Sequence, residues 1–403
     1  MSAHNPFRPG AGHTPPFLAG RGGEKIQFGR LLDQEVVAQN VVLTGLRGVG
    51  KTVLMDVEYR PLAQKRGWIW VGTDFSEHAF IDERTLCRRL LTDLSVFTST
   101  LSLRTLREAV GFRKGRTAEE TALDFTLLDR YFEAQPGLVV DKLKATLEFV
   151  WKAVHPLGLK GILFAYDEAQ VVRDRKDKDQ YPLALLLETF QSIQRKHMRY
   201  LLLLTGLPTL FPKLVESRTY AERMFTVQEV GRLSEDECRE AILTPLEGTG
   251  ISFAPHAVST IIERSGGYPY FIQFLCREVF EQLAALRVTE TPPLPHAVPI
   301  DPIIRKLDGD FFSGRWNKVP DRQRDLLFCI ASLESCDEEF TISEIVESSS
   351  RIAAAGKVSR PFRTNDVSQM LPRLIEAGLI YKNRHGKYSF AVPLFGDYIR
   401  RNF

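Results

Sequence analysis

One stretch of the sequence combines an apolar run, a glycine-rich turn and the expected start of a helix. Residues Asn40–Thr44 are mostly β-branched or apolar, and the next eight residues read Gly-Leu-Arg-Gly-Val-Gly-Lys-Thr. Glycine permits backbone angles that point several N–H groups at one place, and a helix that begins beside Lys51 adds the positive end of its dipole. The stretch therefore predicts a strand, an anion-binding turn and a helix, in that order.

The eight residues of the turn match the Walker A pattern G-x-x-x-x-G-K-[ST], in which each fixed position has a chemical task. Backbone N–H groups hold phosphates, the lysine reaches the β- and γ-phosphates, and the hydroxyl ligates magnesium. We therefore predict that the chain binds a nucleoside triphosphate together with Mg2+. The residues expected to bind the nucleotide are Gly45, Leu46, Arg47, Gly48, Val49, Gly50, Lys51, Thr52 and Val53.

The composition of the 403-residue chain is that of a globular protein with about two or three domains. Hydrophobic residues make up 44% and charged residues 26%, which excludes a disordered or fibrous class. The five cysteines are odd in number and form no C-x-x-C pair, so they indicate reduced thiols rather than a disulfide framework or a zinc site. Because the sequence shows no apolar signal segment and no run of about 18 apolar residues, we expect a cytoplasmic protein with no membrane partner.

Further apolar runs alternate with helical patterns as far as residue 230. The β-prone run 67–72 predicts a second strand, and the short apolar runs 161–166 and 200–204 predict two buried strands. Residues 81–155 show mostly helical spacing. Strands that alternate with helices form parallel sheets and bind ligands beyond the carboxyl ends of the strands. We therefore expect an α/β fold with a doubly wound parallel sheet.

Two carboxylates, Asp167 and Glu168, follow the predicted strand that ends at Tyr166, as in a Walker B motif. Asp167 would ligate magnesium, and Glu168 would polarise the water that attacks the γ-phosphate. The alternative is a solvated acidic pair at the end of a strand. The next strand ends at Thr205, which we expect to hydrogen-bond the γ-phosphate or the water, unless it only caps the following turn.

Two arginines precede the last predicted strand of this part, at residues 224–227. Arg223, or its neighbour Arg218, would face the nucleotide of an adjoining subunit and neutralise charge in the transition state. An ordinary surface or salt-bridged arginine is the alternative. The residues predicted to be catalytic are thus Glu168, Thr205 and Arg223, and the predicted magnesium ligands are Thr52 and Asp167.

After residue 230 the pattern becomes helical. Ser234 and Glu237 form a capping box, and further helices at 255–265 and 270–283 complete a small lid. Five prolines within residues 289–302 predict a stiff linker that is neither helix nor strand. Three helices (321–332, 341–349 and 365–377) and a hairpin that turns at 383–386 then predict a winged helix. We expect five segments: a lead-in (1–24), a P-loop ATPase core (25–230), the lid (231–288), the linker (289–302) and a winged-helix domain (303–403).

In this order the motifs resemble the AAA+/STAND group of P-loop ATPases, and within it the archaeal-type and origin-recognition-like ATPases. The resemblance rests on residues 18–24, 45–52, 162–168, 205, 223 and 267–269, followed by the winged helix. The resemblance implies that Arg21 and Glu24 flank the adenine and that Pro269 borders the nucleotide. The alternative for Gly266–Pro269 is that its glycines only end one helix and its proline only begins the next. Typical AAA+ proteins have a second sensor arginine where this chain has Tyr268-Pro269, which favours the STAND side.

We expect the protein to be a slow, magnesium-dependent ATPase. It would work as a nucleotide-driven regulatory switch that acts through unidentified protein partners. A nucleotide-dependent homo-oligomer is one form in which it could do so. A DNA-binding ATPase of the initiator or transposition-regulator kind and a nucleotide-binding scaffold without turnover are the alternatives. Residues 351–403 contain ten Lys or Arg and three Asp or Glu, a local charge of +7. In the DNA-binding alternative, phosphates contact Arg360, Arg363, Arg373, Lys382, Arg384 and Lys387. Otherwise the winged helix is an internal packing module.

Overall fold

The apolar runs form a five-stranded parallel sheet in the computed structural model of the chain, which describes residues 4–10, 13–75, 81–101, 122–289 and 299–403. The strands are β1 (Asn40–Thr44), β2 (Trp68–Val71), β3 (Gly161–Tyr166), β4 (Tyr200–Gly206) and β5 (Phe225–Glu229). Their order across the sheet is β2-β3-β4-β1-β5, and Val42 of β1 lies opposite Leu204 on one side and Val227 on the other. The predicted α/β fold with a parallel sheet is confirmed.

Helices connect these strands, as their apolar spacing predicts. They are α1 (Gly22–Asp33), α2 (Lys51–Val53), α3 (Arg60–Lys65), α4 (Glu83–Thr98), α5 (Phe125–Ala134), α6 (Val139–Val154), α7 (Pro182–Arg195), α8 (Leu210–Ser217) and α9 (Ala221–Met224). Asp82 and Asp124 cap α4 and α5 by accepting hydrogen bonds from the first-turn N–H groups of Thr85 and Leu127. Residues 102–121, within the stretch 81–155 that the sequence predicts to be mostly helical, lie outside the described residues.

A single π-helical turn, Leu54–Tyr59, separates α2 from α3. The Tyr59 ring stacks on Phe28 of α1 at 4.0 Å, and its hydroxyl donates to Oε1 of Gln228 on β5 at 2.6 Å. Both aromatic side chains are fully buried. A buried hydroxyl needs such a partner, so Gln228 fixes the direction in which the chain continues into α3.

Beyond β5 the chain is helical, with α10 (Glu235–Leu243), α11 (Pro255–Ser265) and α12 (Pro269–Thr289). The predicted capping box is present, because Ser234 N–H donates to Glu237 Oε2 at 2.8 Å and Glu237 N–H donates back to Ser234 Oγ at 3.4 Å. Gly266 ends α11 in the left-handed conformation with φ 57°. The predicted lid helices therefore form, and α12 runs six residues further than the sequence pattern indicates.

The last part of the chain contains the three helices and the hairpin that the sequence predicts. The elements are α13 (Ile300–Leu307), a π-helical turn (Asp308–Ser313), α14 (Gly314–Trp316), α15 (Asp321–Ala331), α16 (Ile342–Ala354), α17 (Thr364–Glu376), β6 (Ile380–Arg384), β7 (Lys387–Phe390) and α18 (Phe395–Asn402). The strands β6 and β7 pair antiparallel, and Phe340 adds a bridge to Tyr388. Helix α18 is an element that the sequence pattern does not predict.

Helix α13 corrects part of the linker prediction. Ile300 begins a helix although the run of prolines predicts neither helix nor strand as far as residue 302. Pro302 lies in the first turn of α13, where the missing N–H of proline costs no helical hydrogen bond. Residues 290–298 of the predicted linker lie outside the described residues.

The chain divides into two compact units that we call the sheet unit and the helical unit. The sheet unit comprises Gly22–Thr44 and Leu54–Glu229, and the helical unit comprises Met1–Arg21, Gly45–Val53 and Val230–Phe403. The turn of the Walker A motif thus belongs to the helical unit, while the strand before it belongs to the sheet unit. The division into five segments stays a prediction. Within the described part of the chain, no helix combines the length and the apolar character that crossing a membrane requires.

We expect Asn40→Ala to destabilise the sheet unit by about 1–3 kcal/mol, because it removes the partner of a buried backbone donor. The fully buried Asn40 accepts from Leu202 N–H at 2.8 Å and from Gln194 Nε2 at 2.7 Å, so its amide links β1 to β4 and α7. Urea unfolding followed by tryptophan fluorescence measures the change. The exposed Asn365→Ala is the control, and equal midpoints for the two variants would contradict the assignment.

Candidate functional site

The turn after β1 adopts a conformation that requires glycine at three positions. Gly48 and Gly50 have φ angles of 80° and 92°, in the region that side chains disfavour. A Cβ atom on Gly45 would lie 2.3 Å from the carbonyl oxygen of Val230. The glycines of the motif are therefore needed for the shape of the turn, which we call the phosphate loop (residues 45–52).

Lys51 lies against the loop that contains it. Its side chain is buried, and Nζ donates to the carbonyl oxygens of Gly45 and Leu46, at 2.9 Å in each case. These contacts hold the ammonium group at the start of α2, beside the first N–H groups of the helix. A cation beside the positive end of a helix dipole is a favourable environment for an anion.

Arg21 supports the phosphate loop from the segment before α1. Its side chain is buried, and Nη2 donates to the carbonyl oxygens of Val49 at 3.0 Å and Gly231 at 2.8 Å. In this structure Arg21 therefore positions the loop through its backbone. Glu24 lies in the first turn of α1, within the sheet unit.

Pro269 also lies next to the loop, at the start of α12. The following N–H, of Tyr270, donates to the carbonyl oxygen of Gly48 at 3.2 Å. The sequence assigns Pro269 to the border of the nucleotide, and the structure places the start of its helix against the phosphate loop. The positive end of α12 therefore adds to the positive potential there.

The predicted acidic pair and Thr205 lie on two neighbouring strand ends of the sheet unit. Asp167 and Thr205 are buried, and Thr205 Oγ1 donates to Asp167 Oδ1. The same carboxylate oxygen accepts from the N–H of Glu168 at 2.8 Å. The structure thus brings together Asp167, Glu168 and Thr205, and the Thr205 hydroxyl donates to the Asp167 carboxylate. The contact of Thr205 with the γ-phosphate or the water stays a prediction.

Gln170 is a residue of this region that the sequence pattern does not reveal. Its Nε2 donates to Glu168 Oε2, and its Oε1 accepts from Leu207 N–H at 3.2 Å. A Cβ atom on Gly206 would lie 2.3 Å from that Oε1, so only glycine leaves room for this amide. Glu168 itself has a left-handed backbone with φ 52°. The signal in the sequence is a polar residue two positions after the acidic pair, which is too common to single out.

A partly buried network supports the strand that precedes the acidic pair. The Tyr166 hydroxyl donates to Asp93 Oδ2 at 2.8 Å, and Arg89 Nε lies 2.9 Å from the same oxygen. Phe75 stacks on the Tyr166 ring at 4.2 Å. Burial, together with the Asp93 carboxylate, raises the pKa of Tyr166 well above its ordinary value, so the phenol stays protonated and remains a donor.

The two candidate arginines have different surroundings. Arg223 is exposed on α9, while Arg218 donates to the carbonyl oxygen of Ser217 at 3.1 Å and lies 3.7 Å from Glu188. Arg218 is thus partly neutralised within its own chain. Arg223 keeps the accessibility that contact with another subunit requires, and its catalytic role stays a prediction.

The residues fit a triphosphate with magnesium. Within the helical unit, the phosphate loop carries the Lys51 ammonium, backbone N–H groups and the Thr52 hydroxyl. Within the sheet unit, Asp167 carries a carboxylate of the kind that ligates magnesium. Oxygen ligands of this kind suit Mg2+, which is usually held by one or two protein groups together with phosphates and water. When bound, the ion would neutralise charge on the phosphates.

The chain has the fold of the origin-recognition-like AAA+ P-loop ATPases. The chain is similar to the Walker-type ATPase PABY2304 of Pyrococcus abyssi, with 17% identity, a TM-score of 0.56, and coverage of 95% of this chain and 96% of that one. It is also similar to the Aeropyrum pernix ORC2 protein in its ADPNP–ADP complexes, with 14% identity, a TM-score of 0.52, and coverage of 96% and 95%. The resemblance deduced from the motifs is therefore confirmed for the fold.

Two further comparisons concern the sequence. Residues 309–399 match a family described as a domain of unknown function (DUF8462). No curated protein matches the chain. The match begins at the second residue of the π-helical turn and ends within α18, so it bears on the C-terminal part alone.

The free energy of unfolding should depend on pH through Lys213 of α8, whose pKa is lowered in the folded chain. Its Nζ contacts the Gln170 carbonyl oxygen at 3.5 Å, and burial, aided by the charge of Arg173 and opposed by Glu216, lowers its pKa to about 8. Below pH 8 both folded and unfolded chains hold the proton. Between pH 8 and the ordinary lysine pKa of about 10.4 the unfolded chain binds more protons, so the contribution of Lys213 to stability rises with pH.

We therefore expect the unfolding free energy of the wild type, relative to Lys213→Met, to increase as the pH rises from 7.5 to 9.5. Buried tyrosines and cysteines titrate in both proteins, so the difference isolates Lys213. Urea unfolding at several pH values measures it. A difference that does not change with pH would contradict the lowered pKa.

Proposed function

We propose that this protein is a magnesium-dependent ATPase of the AAA+/STAND type that acts as a nucleotide-driven regulatory switch. The observation that carries the proposal is the phosphate loop, where two glycines with positive φ, the buried Lys51 and the positive ends of two helices surround one place. An anion is the ligand that such a concentration of positive charge favours. A triphosphate is the anion for which the G-x-x-x-x-G-K-[ST] spacing is suited.

Hydrolysis is supported by the arrangement of the strand ends. Within the sheet unit, β1, β4 and β3 are parallel neighbours, so the end of β1 at Thr44 and Asp167, which follows β3, both lie at the carboxyl edge of the sheet. We infer that Asp167, held by Thr205, ligates the magnesium ion and that Glu168 orients and activates the attacking water. An acceptor that assists proton transfer in this way contributes about 10²–10⁴ to the rate.

The lid supports the proposal of a switch. It has Tyr268-Pro269 where typical AAA+ proteins have a second sensor arginine, which supports the STAND side and slow turnover. Because α12 donates a hydrogen bond to the phosphate loop, nucleotide binding would alter the contacts of the lid. We propose that protein partners detect this change, and that Arg223 acts on a neighbouring subunit if homo-oligomers form.

A pair of variants tests binding and turnover separately. We expect Lys51→Ala to weaken MgATP binding by at least about 100-fold, because the ammonium group is lost from the phosphates. Glu168→Gln is expected to keep the affinity of the wild type and to lower the rate of phosphate release about 10²–10⁴-fold. Calorimetry and a phosphate-release assay measure the two effects.

Lys152→Ala, at an exposed position of α6, is the control and should behave as the wild type. If Lys51→Ala retained ATP binding, the phosphate-loop assignment would be wrong. If Glu168→Gln hydrolysed ATP at the normal rate, Glu168 would not be the base. A wild type that binds ATP without any turnover would favour the nucleotide-binding scaffold.

A DNA-binding ATPase is the second candidate, and the charge of the C-terminal part favours it. Arg363, Arg373 and Lys382 are exposed at the start of α17, on α17 and on β6. None of the three forms an ion pair with a described residue, whereas Arg384 is paired with Glu339 at 2.7 Å. Arg384 is therefore the weakest of the predicted phosphate contacts.

We expect duplex DNA binding, if this candidate is correct, to weaken steeply with salt, because phosphate contacts release counterions. Replacing Arg363, Arg373 and Lys382 together by Ala should then reduce the slope of log K against log [salt] by roughly 2–3. Fluorescence anisotropy measures both. Binding that is absent or insensitive to salt would exclude this candidate and leave the winged helix as a packing module.

A further inference from the structure

The side-chain amide of Gln170 connects the ends of two neighbouring strands of the sheet unit. Its Nε2 donates to Oε2 of Glu168, which lies two residues after the end of β3. Its Oε1 accepts from the N–H of Leu207 at 3.2 Å, directly after the end of β4. Gln170 is buried, so both polar atoms of its amide need the partners that they have. One side chain therefore connects the proposed base to the turn after β4.

The surroundings of Gln170 decide which end of the amide faces Glu168. A backbone N–H can only donate, so the amide oxygen faces Leu207 and the amide nitrogen faces the carboxylate. Position 170 thus requires a side chain that ends in one acceptor and one donor. Glutamine provides both, whereas an ionised glutamate of nearly the same shape provides acceptors alone.

The main chain of Gln170 is held as well. Glu168 has a left-handed backbone and precedes a single 3₁₀ turn, Ala169–Val171, in which the N–H of Val171 donates to the carbonyl oxygen of Glu168 at 3.0 Å. Lys213 of α8 contacts the carbonyl oxygen of Gln170 with its Nζ at 3.5 Å. The backbone of Gln170 is thus supported by this turn and by α8, while its side chain reaches the turn after β4.

Gly206 leaves the space that the Gln170 amide occupies. A Cβ atom on Gly206 would lie 2.3 Å from Oε1 of Gln170 and 3.0 Å from a methyl group of Leu210. Gly206 is not among the glycines with positive φ, so its backbone conformation alone does not require glycine. The reason for a glycine at this position is therefore the room that it gives to neighbouring side chains, above all to the amide of Gln170.

Thr205 and Gln170 act on different carboxylates. The Thr205 hydroxyl donates to Asp167, whereas the Gln170 amide donates to Glu168. Within the described part of the chain, no other group hydrogen-bonds the carboxylate of Glu168. The proposed magnesium ligand and the proposed base are therefore each held by a separate side chain.

We propose that Gln170 is a positioning residue for ATP hydrolysis, which fixes the Glu168 carboxylate for activation of the attacking water and makes its orientation depend on the turn after β4. The inference rests on the proposed function, since Gln170 acts through the proposed base. The amide holds one oxygen of the carboxylate and leaves the other for the water, and such orientation is worth a large part of a catalytic effect. Movement of the turn after β4 would then change turnover while the affinity for nucleotide stays the same.

The first test measures ATP turnover and MgATP affinity in the full chain. Gln170→Met keeps the length of the side chain but lacks the N–H donor. We expect it to lower kcat about 10–100-fold, because the base is misplaced, and to change KM and the calorimetric affinity for MgATP less than about threefold. Gln170→Glu, which keeps an acceptor for Leu207, should lower kcat at least as much. Gln64→Met, exposed on α3, is the matched control and should keep the kcat of the wild type.

A double variant shows whether Gln170 acts through Glu168. In a Glu168→Gln background, Gln170→Met should lower the remaining rate less than about twofold, because no carboxylate is left to orient. A loss as large as in the wild-type background would refute the positioning role while the proposed function stands, and so would a normal kcat for Gln170→Met. A wild type without any turnover would refute the positioning role and the proposed hydrolysis together.

Urea unfolding without nucleotide gives a readout that does not depend on activity. Gly206→Ala should lower the unfolding midpoint, because its Cβ atom displaces the Gln170 amide, and should lower it less in a Gln170→Ala background, where that amide is absent. Equal shifts in the two backgrounds would contradict the contact on which the proposal depends. Gly206→Ala should also lower kcat as Gln170→Met does, and it serves in the kinetic test if Gln170→Met does not fold.

Discussion

The hydrogen bonds that hold β1 between β4 and β5 are the interaction on which the rest of the structure depends. A phosphate loop is useful only if the strand before it cannot move, because its N–H groups must meet an anion at fixed positions. Here β1 is buried along its whole length, paired on both sides, and anchored at its first residue by the amide of Asn40. The same strand β4 that supports β1 carries Thr205 next to its last residue, and Thr205 holds Asp167. Within the sheet unit, one sheet thus holds both the strand that precedes the loop and the acidic pair.

Much of the fold could be predicted from the sequence because the signals are local. Apolar runs of five to seven residues became β1, β3 and β4, and the capping box at Ser234 opened α10 where it was expected. Elements whose stability depends on distant contacts were not predicted. Helix α18 is short, and its aromatic residues pack against Phe312 and Trp316 from another part of the chain. Such packing has no signature within the helix itself.

The residues of the candidate site also fall into those with a local sequence signal and those without one. The phosphate loop, Asp167, Glu168 and Thr205 could be predicted from spacing, since each comes directly after a recognisable strand. Gln170 could not be found in this manner. Its contacts depend on the absence of a side chain at Gly206. A sequence pattern records residue types and intervals, whereas this contact depends on which elements meet in space.

The backbone of Glu168 has a consequence for how such a chain changes over time. A residue with a Cβ atom in the left-handed region costs about 1 kcal/mol more than glycine, and asparagine tolerates that region better than glutamate. Mutation to either residue would relax the chain and remove the carboxylate in the same step. At this position, selection for a more stable fold therefore favours glycine or asparagine, whereas selection for nucleotide hydrolysis favours glutamate. Descendants that no longer need to hydrolyse nucleotide should lose the glutamate early.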